Sequence, residues 1–213
     1  MIRSMNSLLW AFVFFASASA PSQQSSAPQT AMPDINGGSM PPALLYYTGW
    51  APPKECKKIA AQTVSVNFIV GTNGEVTDPQ IESGSEEVKR CAVAMLNQRR
   101  FSPETKADVP LSVRTHMQLE VGSYPTRPVA IHTEDPSPKC IPKEDSLRAE
   151  IEILVTVEGL PSREALLQSS GNPCWDQASI ASVQGYRFRP ATFHGKPVPM
   201  LLHIDSNFSR SMH

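Results

Sequence analysis

The chain has 213 residues, with 19 basic and 20 acidic side chains and a net charge of −1, so no bulk charge draws it to nucleic acid or to an anionic membrane. Its 20 prolines are spread out rather than periodic. The length past the first twenty residues suits one domain or two small ones.

Met1 to Ser7 carries the terminal amine and Arg3, and Leu8 to Ala20 is an uncharged, largely apolar run ending in small residues. That layout predicts a secretory signal peptide. Cleavage after Ala18 is favoured over Ala20, which would leave Pro21 as the new N-terminus. The alternative is an uncleaved anchor, but a spanning helix needs roughly 20 apolar residues and this run is shorter. No cysteine follows the run, so no lipid-modified cysteine is available. Export to the periplasm or the exterior is expected, with no strong membrane insertion once the segment is cleaved. Residues 21–53 hold seven prolines among Ser, Gln, Thr and Gly and predict a flexible leader, tied down near Leu44 to Trp50.

From Pro52 onward the chain can be laid on itself. Ser83-Gly84 matches Ser170-Gly171, Phe101 matches Phe188, Pro103 matches Pro190 and Pro110 matches Pro197, each offset by 87 residues. Gly74 matches Gly159 at an offset of 85. A repeat of this kind decides the architecture.

Val64, Val66, Phe68 and Val70 alternate with Ser65, Asn67 and Ile69, and Leu147, Ala149, Ile151, Ile153, Val155 and Val157 alternate with Arg148, Glu150 and Glu152, so each run predicts a strand with one buried face. Turns at Asn73-Gly74 and Glu158-Gly159 lead to returning strands around Val76–Ile81 and Leu160–Leu167. A helix follows in each copy. Ser83 with Glu86 reads as a capping box ahead of Val88, Cys91, Ala92 and Met95, and Asn172 reads as an N-cap with Pro173 at the first helical position. Both helices run into an aromatic-basic-proline exit, Arg100-Phe101-Ser102-Pro103 and Arg187-Phe188-Arg189-Pro190, then a long final strand.

The expected fold is α+β: two modules, 54–123 and 140–210, joined by a linker over 124–139. Each is a three-stranded antiparallel sheet in the order β-β-α-β, with one helix packed on it. A unit of that size buries a small core and needs reinforcement. Four cysteines allow three pairings, and the repeat selects Cys56–Cys91 and Cys140–Cys174. Cys91 projects onto Ala178, about one helical turn beyond Cys174 and therefore on the same face. Each bridge closes a loop worth roughly 3–4 kcal/mol in the chain-entropy model. Metal binding is a poor alternative, because no C-x-x-C occurs and no histidine lies near either pair in sequence.

The ordered set VSVNFIV, NGEV, ESG, RRFSP and P-x-x-V, repeated as AEIEILVTV, EGLP, SSG, YRFRP and KPVPMLLHI, resembles the C-terminal domain of the TonB family. Arg99 and Tyr186 stand where that family's W-R-F exit has tryptophan. The resemblance implies binding of a protein or peptide partner of the cell envelope, such as a segment of an outer-membrane receptor, by strand addition to a sheet edge. It marks the final strands, with Ser112, Arg114, His116 and Gln118 in the first copy and Leu201, His203, Asp205 and Asn207 in the second. The short leader and cleavable N-terminus argue against an anchored energy transducer.

No catalytic motif occurs: there is no G-x-S-x-G, H-E-x-x-H or Gly-rich phosphate loop. An enzyme and a cofactor are not expected. Arg99, Arg100, Arg187 and Arg189 read as caps for the helix C-termini, and Trp50 and Trp175 as packing residues. Two functions stay open. One is an envelope binding protein using a free sheet edge. The other is a structural domain whose modules pair with each other or form a homodimer, their edges covered.

Overall fold

A computed structural model of the chain describes residues 42–106, 109–137 and 142–210. The expected signal peptide, most of the leader and Cys140 lie outside these residues. The fold is mixed α+β, mostly strand. In chain order the strands are β1 (Leu44–Tyr47), β2 (Gln62–Val70), β3 (Val76–Ile81), β4 (Arg99–Phe101), β5 (Glu104–Lys106), β6 (Val109–Leu111) and β7 (Val113–Val121). There follow β8 (Val129–His132), β9 (Ser146–Val155), β10 (Pro161–Gln168), β11 (Arg187–Arg189), β12 (Ala191–Phe193), β13 (Lys196–Val198) and β14 (Met200–Ser209). Helix α1 (Glu86–Asn97) comes between β3 and β4, and α2 (Pro173–Gln184) between β10 and β11.

The alternation of β2 does what its sequence dictates. Val64, Val66, Phe68 and Val70 are buried against Val88, Cys91, Met95 and Leu96 of α1, with Phe68 stacked at 5.2 Å on Phe101. β2 is the centre of an antiparallel sheet in the order β3-β2-β7, and its pairing with β7 runs unbroken from Gln62↔Val121 to Val70↔Val113. The helix begins two residues later than the Ser83–Glu86 reading expects. Ser85 is the N-cap and its hydroxyl accepts from the Val88 N–H, while Gly84, at φ 104°, makes the turn that leads in. Three residues from cap to bonded N–H is the spacing that counts, and Ser85 meets it.

The second large sheet departs from the three-stranded expectation. It has five strands in the order β10-β9-β14-β1-β4, because two short strands from the first half of the chain extend it. β9 and β14 pair without interruption from Ser146↔Ser209 to Val155↔Met200. Helix α2 starts as its sequence predicts: the Asn172 carboxamide oxygen accepts from the N–H groups of Cys174 and Trp175, and Pro173 opens the helix. A buried hydroxyl pair, Ser179 and Ser206 at 2.7 Å, ties α2 to β14.

The two hairpin turns close in the same way. Gly74 N–H donates to Gly71 O at 2.9 Å and Gly159 N–H to Thr156 O at 3.0 Å. The carbonyls of Gly74 and Gly159 then accept from Phe101 and Phe188 at 3.0 and 2.9 Å, fixing each helix exit onto its hairpin. Both glycines sit at φ 78°, and a Cβ would come within 2.2 Å of the Phe101 carbonyl oxygen or 1.9 Å of the Phe188 one. Only glycine fits there.

Cys56 and Cys91 form a disulfide that joins the turn Lys54–Cys56 to α1 and closes a loop with a sequence separation of 35. Cys174 is disulfide-bonded as well; its expected partner Cys140 lies outside the described residues. Replacing Cys56 and Cys91 together by serine should lower stability by roughly 3–4 kcal/mol, read as a lower urea midpoint.

At the start of α2, Asp176 is buried and accepts from the Ser169 hydroxyl at 2.5 Å and from the Ser170 hydroxyl and N–H at 2.6 and 2.9 Å. Burial raises the pKa of this carboxyl, but the three hydrogen bonds outweigh it and hold the pKa below the usual aspartate range. A depressed carboxylate contributes stability above its unfolded pKa and loses it as pH falls through the folded one. Asp176→Asn should therefore unfold more readily than wild type at neutral pH, with the gap closing as the solution is acidified below about pH 4.

Candidate functional site: the open edge of the last strand

Two strands that border the large sheets carry devices that blunt them. β3 and β10 each break register with their neighbour, and each holds a residue at positive φ, Asp78 at 47° and Arg163 at 54°. β3 also contains Pro79, which has no N–H to offer. Bulges and proline discourage pairing with a further strand.

β7 and β14 carry no such device. β7 ends its sheet, bonded only to β2. β14 differs from the expectation of a bordering strand, because β1 lies beside it. The contact is brief: Tyr47 sits opposite Met200 in parallel register, its N–H donating to Pro199 O at 3.0 Å, and the chain then turns away through Thr48–Gly49. Among the described residues, the outer side of β14 beyond Met200 has no strand against it.

The direction of the main-chain groups follows from these bonds. In a strand the N–H and C=O of one residue point the same way, and neighbours alternate. Pro199 O faces β1, whereas Arg210 N–H donates inward to Asp145 O at 2.9 Å. With no bulge between, Leu201, His203, Asp205 and Asn207 turn their main-chain groups to the outer side, where the parallel bridge engages the Leu201 N–H and the other three are open. On the other sheet Ser65 O accepts from Glu82 N–H beside β3, so Gln118, which pairs with Ser65, faces away from β2. By alternation Ser112, Arg114 and His116 do likewise. The eight residues marked by the sequence are thus the outward-facing residues of two regular edges. They lie in two separate sheets and form no single cluster of side chains.

Their side chains are tied down on the polar face. Arg114 pairs with Asp78 at 2.5 Å and Gln118 donates to Ser65 Oγ at 2.7 Å. Arg148 pairs with Asp205 at 2.8 Å, and His203 lies with Nδ1 3.2 Å from Glu150 and Nε2 3.2 Å from Glu152. His116 is exposed.

Where β1 leaves β14 a pocket of ≈310 Å³ opens, lined by Thr48, Trp50, Gln98, Arg127, Leu201 and His203 among others. Trp50 is 42% exposed, and the Arg127 guanidinium stands 5.4 Å from its ring centroid. A ring with one face in water and a cation over it is a recognition surface as much as a packing element. Trp50 is expected to pack; its position in the proline-rich leader, at the end of the segment expected to be tied down, is the available signal. Trp175 does pack, buried against Phe208 at 5.2 Å.

Below the pocket, Tyr47 and Arg99 are both buried, with the guanidinium 5.4 Å over the phenol ring. Burial lowers the pKa of Arg99 and raises that of Tyr47, each partly opposed by the other. Arg99 Nε has no hydrogen-bond partner. The expectation that four arginines cap the helices holds for Arg187 alone, whose Nη1 reaches the carbonyls of Gln184, Gly185 and Tyr186 at 3.2, 3.1 and 2.7 Å. Arg100 instead pairs with Glu75 at 2.8 Å, because the exit strand β4 carries it past the helix end to the hairpin turn. Arg189 is exposed on β11, beyond that helix end.

Among the described residues no group of three or more His, Cys, Asp or Glu side chains is arranged to hold a metal ion, and no helix is long and apolar enough to cross a membrane. No protein-family model, curated protein or solved structure matches the chain.

An orphaned buried donor costs about 1–3 kcal/mol, and a cation over a ring returns about 0.5–2 kcal/mol. Arg99→Met should therefore match or exceed wild type in melting temperature. A clear drop would mean that the stacking outweighs the desolvation.

Proposed function

We propose that this is an exported envelope protein that binds a protein or peptide partner by taking one extended segment onto the outer edge of β14. The observation that carries the reading is the asymmetry of that strand. One side is bonded over its whole length, and the other is bonded only to Tyr47, on either side of Met200, and is regular thereafter. Main-chain hydrogen bonds along such an edge supply affinity, and side-chain pockets beside it supply specificity. Trp50 and Arg127 offer an aromatic and cationic contact at one end, suited to an aromatic or carboxylate side chain on the incoming segment.

The resemblance to TonB C-terminal domains is a second support, and the protein is read as two diverged copies of that unit. Several pairs of features favour duplication: the matching turns at Gly74 and Gly159, the positive-φ residues Asp78 and Arg163, and two helices of twelve residues each. The short strands β1 and β8 add to them, each lying beside its own helix exit. The disulfide Cys56–Cys91 agrees with an oxidising compartment. The protein is read as a binder related to that family in form.

The test needs no prior partner. Peptides selected from a random display library on the oxidised protein would be titrated against His203→Pro and Asp205→Pro, each of which removes one outward N–H and leaves the β9 ladder whole. Binding should weaken at least about tenfold in each, the loss of one to two main-chain bonds. Unchanged affinity in both variants would refute strand addition at β14.

A further inference from the structure

The short strands β1 and β8 occupy corresponding places, their limits standing 85 residues apart, and each pairs antiparallel with the strand that leaves a helix. Tyr47 lies opposite Arg99, and His132 opposite Arg187, the counterpart of Arg100, so β8 sits one residue further along its exit strand than β1 does. β1 uses its second edge too. Tyr47 bonds Pro199 and packs in a small apolar cluster with Ala191, Val198 and Met200. β8 uses one edge only among the described residues. All four of its residues are exposed, with Val129 at 44% and Ile131 at 67%.

The strand that corresponds to β14 is β7, with Val113 in the place of Met200 and Leu111 in the place of Val198. Its start is unmatched as well, since β7 pairs with β2 alone and Val109 nearby is 59% exposed. The contact inside the chain is therefore heterologous: a donor edge from the first half meets an acceptor in the second. A donor edge in the second half and an acceptor in the first are left over, and they do not meet within one chain. Heterologous surfaces join copies head to tail.

We infer that β8 of one copy docks beside the start of β7 in a second copy, repeating between chains the contact that β1 makes with β14 inside one. The residues at the joint differ between the two copies. His132 replaces Tyr47 on the donor side, and Glu104 replaces Ala191 on the acceptor side. An apolar wedge within the chain becomes a complementary polar pair between chains, which suits a reversible contact that need not hold one fold together. β14 beyond Met200 stays open in such an array, so the inference stands apart from the reading of that edge.

Sedimentation velocity of the oxidised protein from about 1 µM to about 1 mM covers the range expected for a small interface. The average mass should rise steadily and pass that of a dimer. Ile131→Asp and Val109→Asp, both at exposed positions, should each stay monomeric alone, yet form a dimer that grows no further when mixed. A monomer at every concentration, a wild-type dimer that never grows, or association that both variants leave intact overturns the inference.

Discussion

The main chain at Tyr47 is the joint on which the two large sheets of this protein depend. On one side β1 pairs with β4, which leaves helix α1; on the other Tyr47 N–H bonds Pro199 at the threshold of β14. One residue thus couples the exit of the first helix to the last strand of the second sheet. Its buried ring fills the space between Ala191 and Met200, so the coupling is apolar as well as hydrogen-bonded. The buried cation of Arg99 stands against the same ring, and a more ordinary packing residue there would serve stability at least as well.

That joint also determines what is left unpaired. Because β1 turns away at Thr48, it seals only the start of β14, through Leu201, and the departing chain carries Trp50 beside the edge it has uncovered. The strands at the other margins are treated differently. Positive-φ bulges at Asp78 and Arg163 and the missing N–H of Pro79 blunt β3 and β10. Among the long strands of the two large sheets, two have blunted edges and two have regular ones, and that uneven distribution is the strongest physical pointer to use.

Much of this was legible in the sequence where the chain's own periodicity decides structure. The alternations in β2, β7, β9 and β14, the glycine turns, the Asn172 cap and the Cys56–Cys91 pairing all follow from local pattern or from the internal match. β1 and β8 were not legible. Four residues in proline-rich surroundings show no period of their own, and they become strands only because distant exit strands offer bonding partners. The same cause hid the five-stranded sheet and the partial cover on β14. Ser83 was taken for the cap in place of Ser85 because both precede the helix, and only the turn at Gly84 separates them. The Trp50–Arg127 contact joins residues whose neighbourhood depends on that unforeseen joint.

Site-resolved amide exchange along β14 in the free, oxidised protein tests the open edge most directly. The N–H groups of Leu202, Ile204, Ser206 and Phe208, bonded to β9, should exchange slowly, and those of His203, Asp205 and Asn207 should exchange fast, an alternation along a single strand. Uniform protection of all seven would mean that the outer side is already covered, and would contradict the reading of β14 as a place for a partner strand.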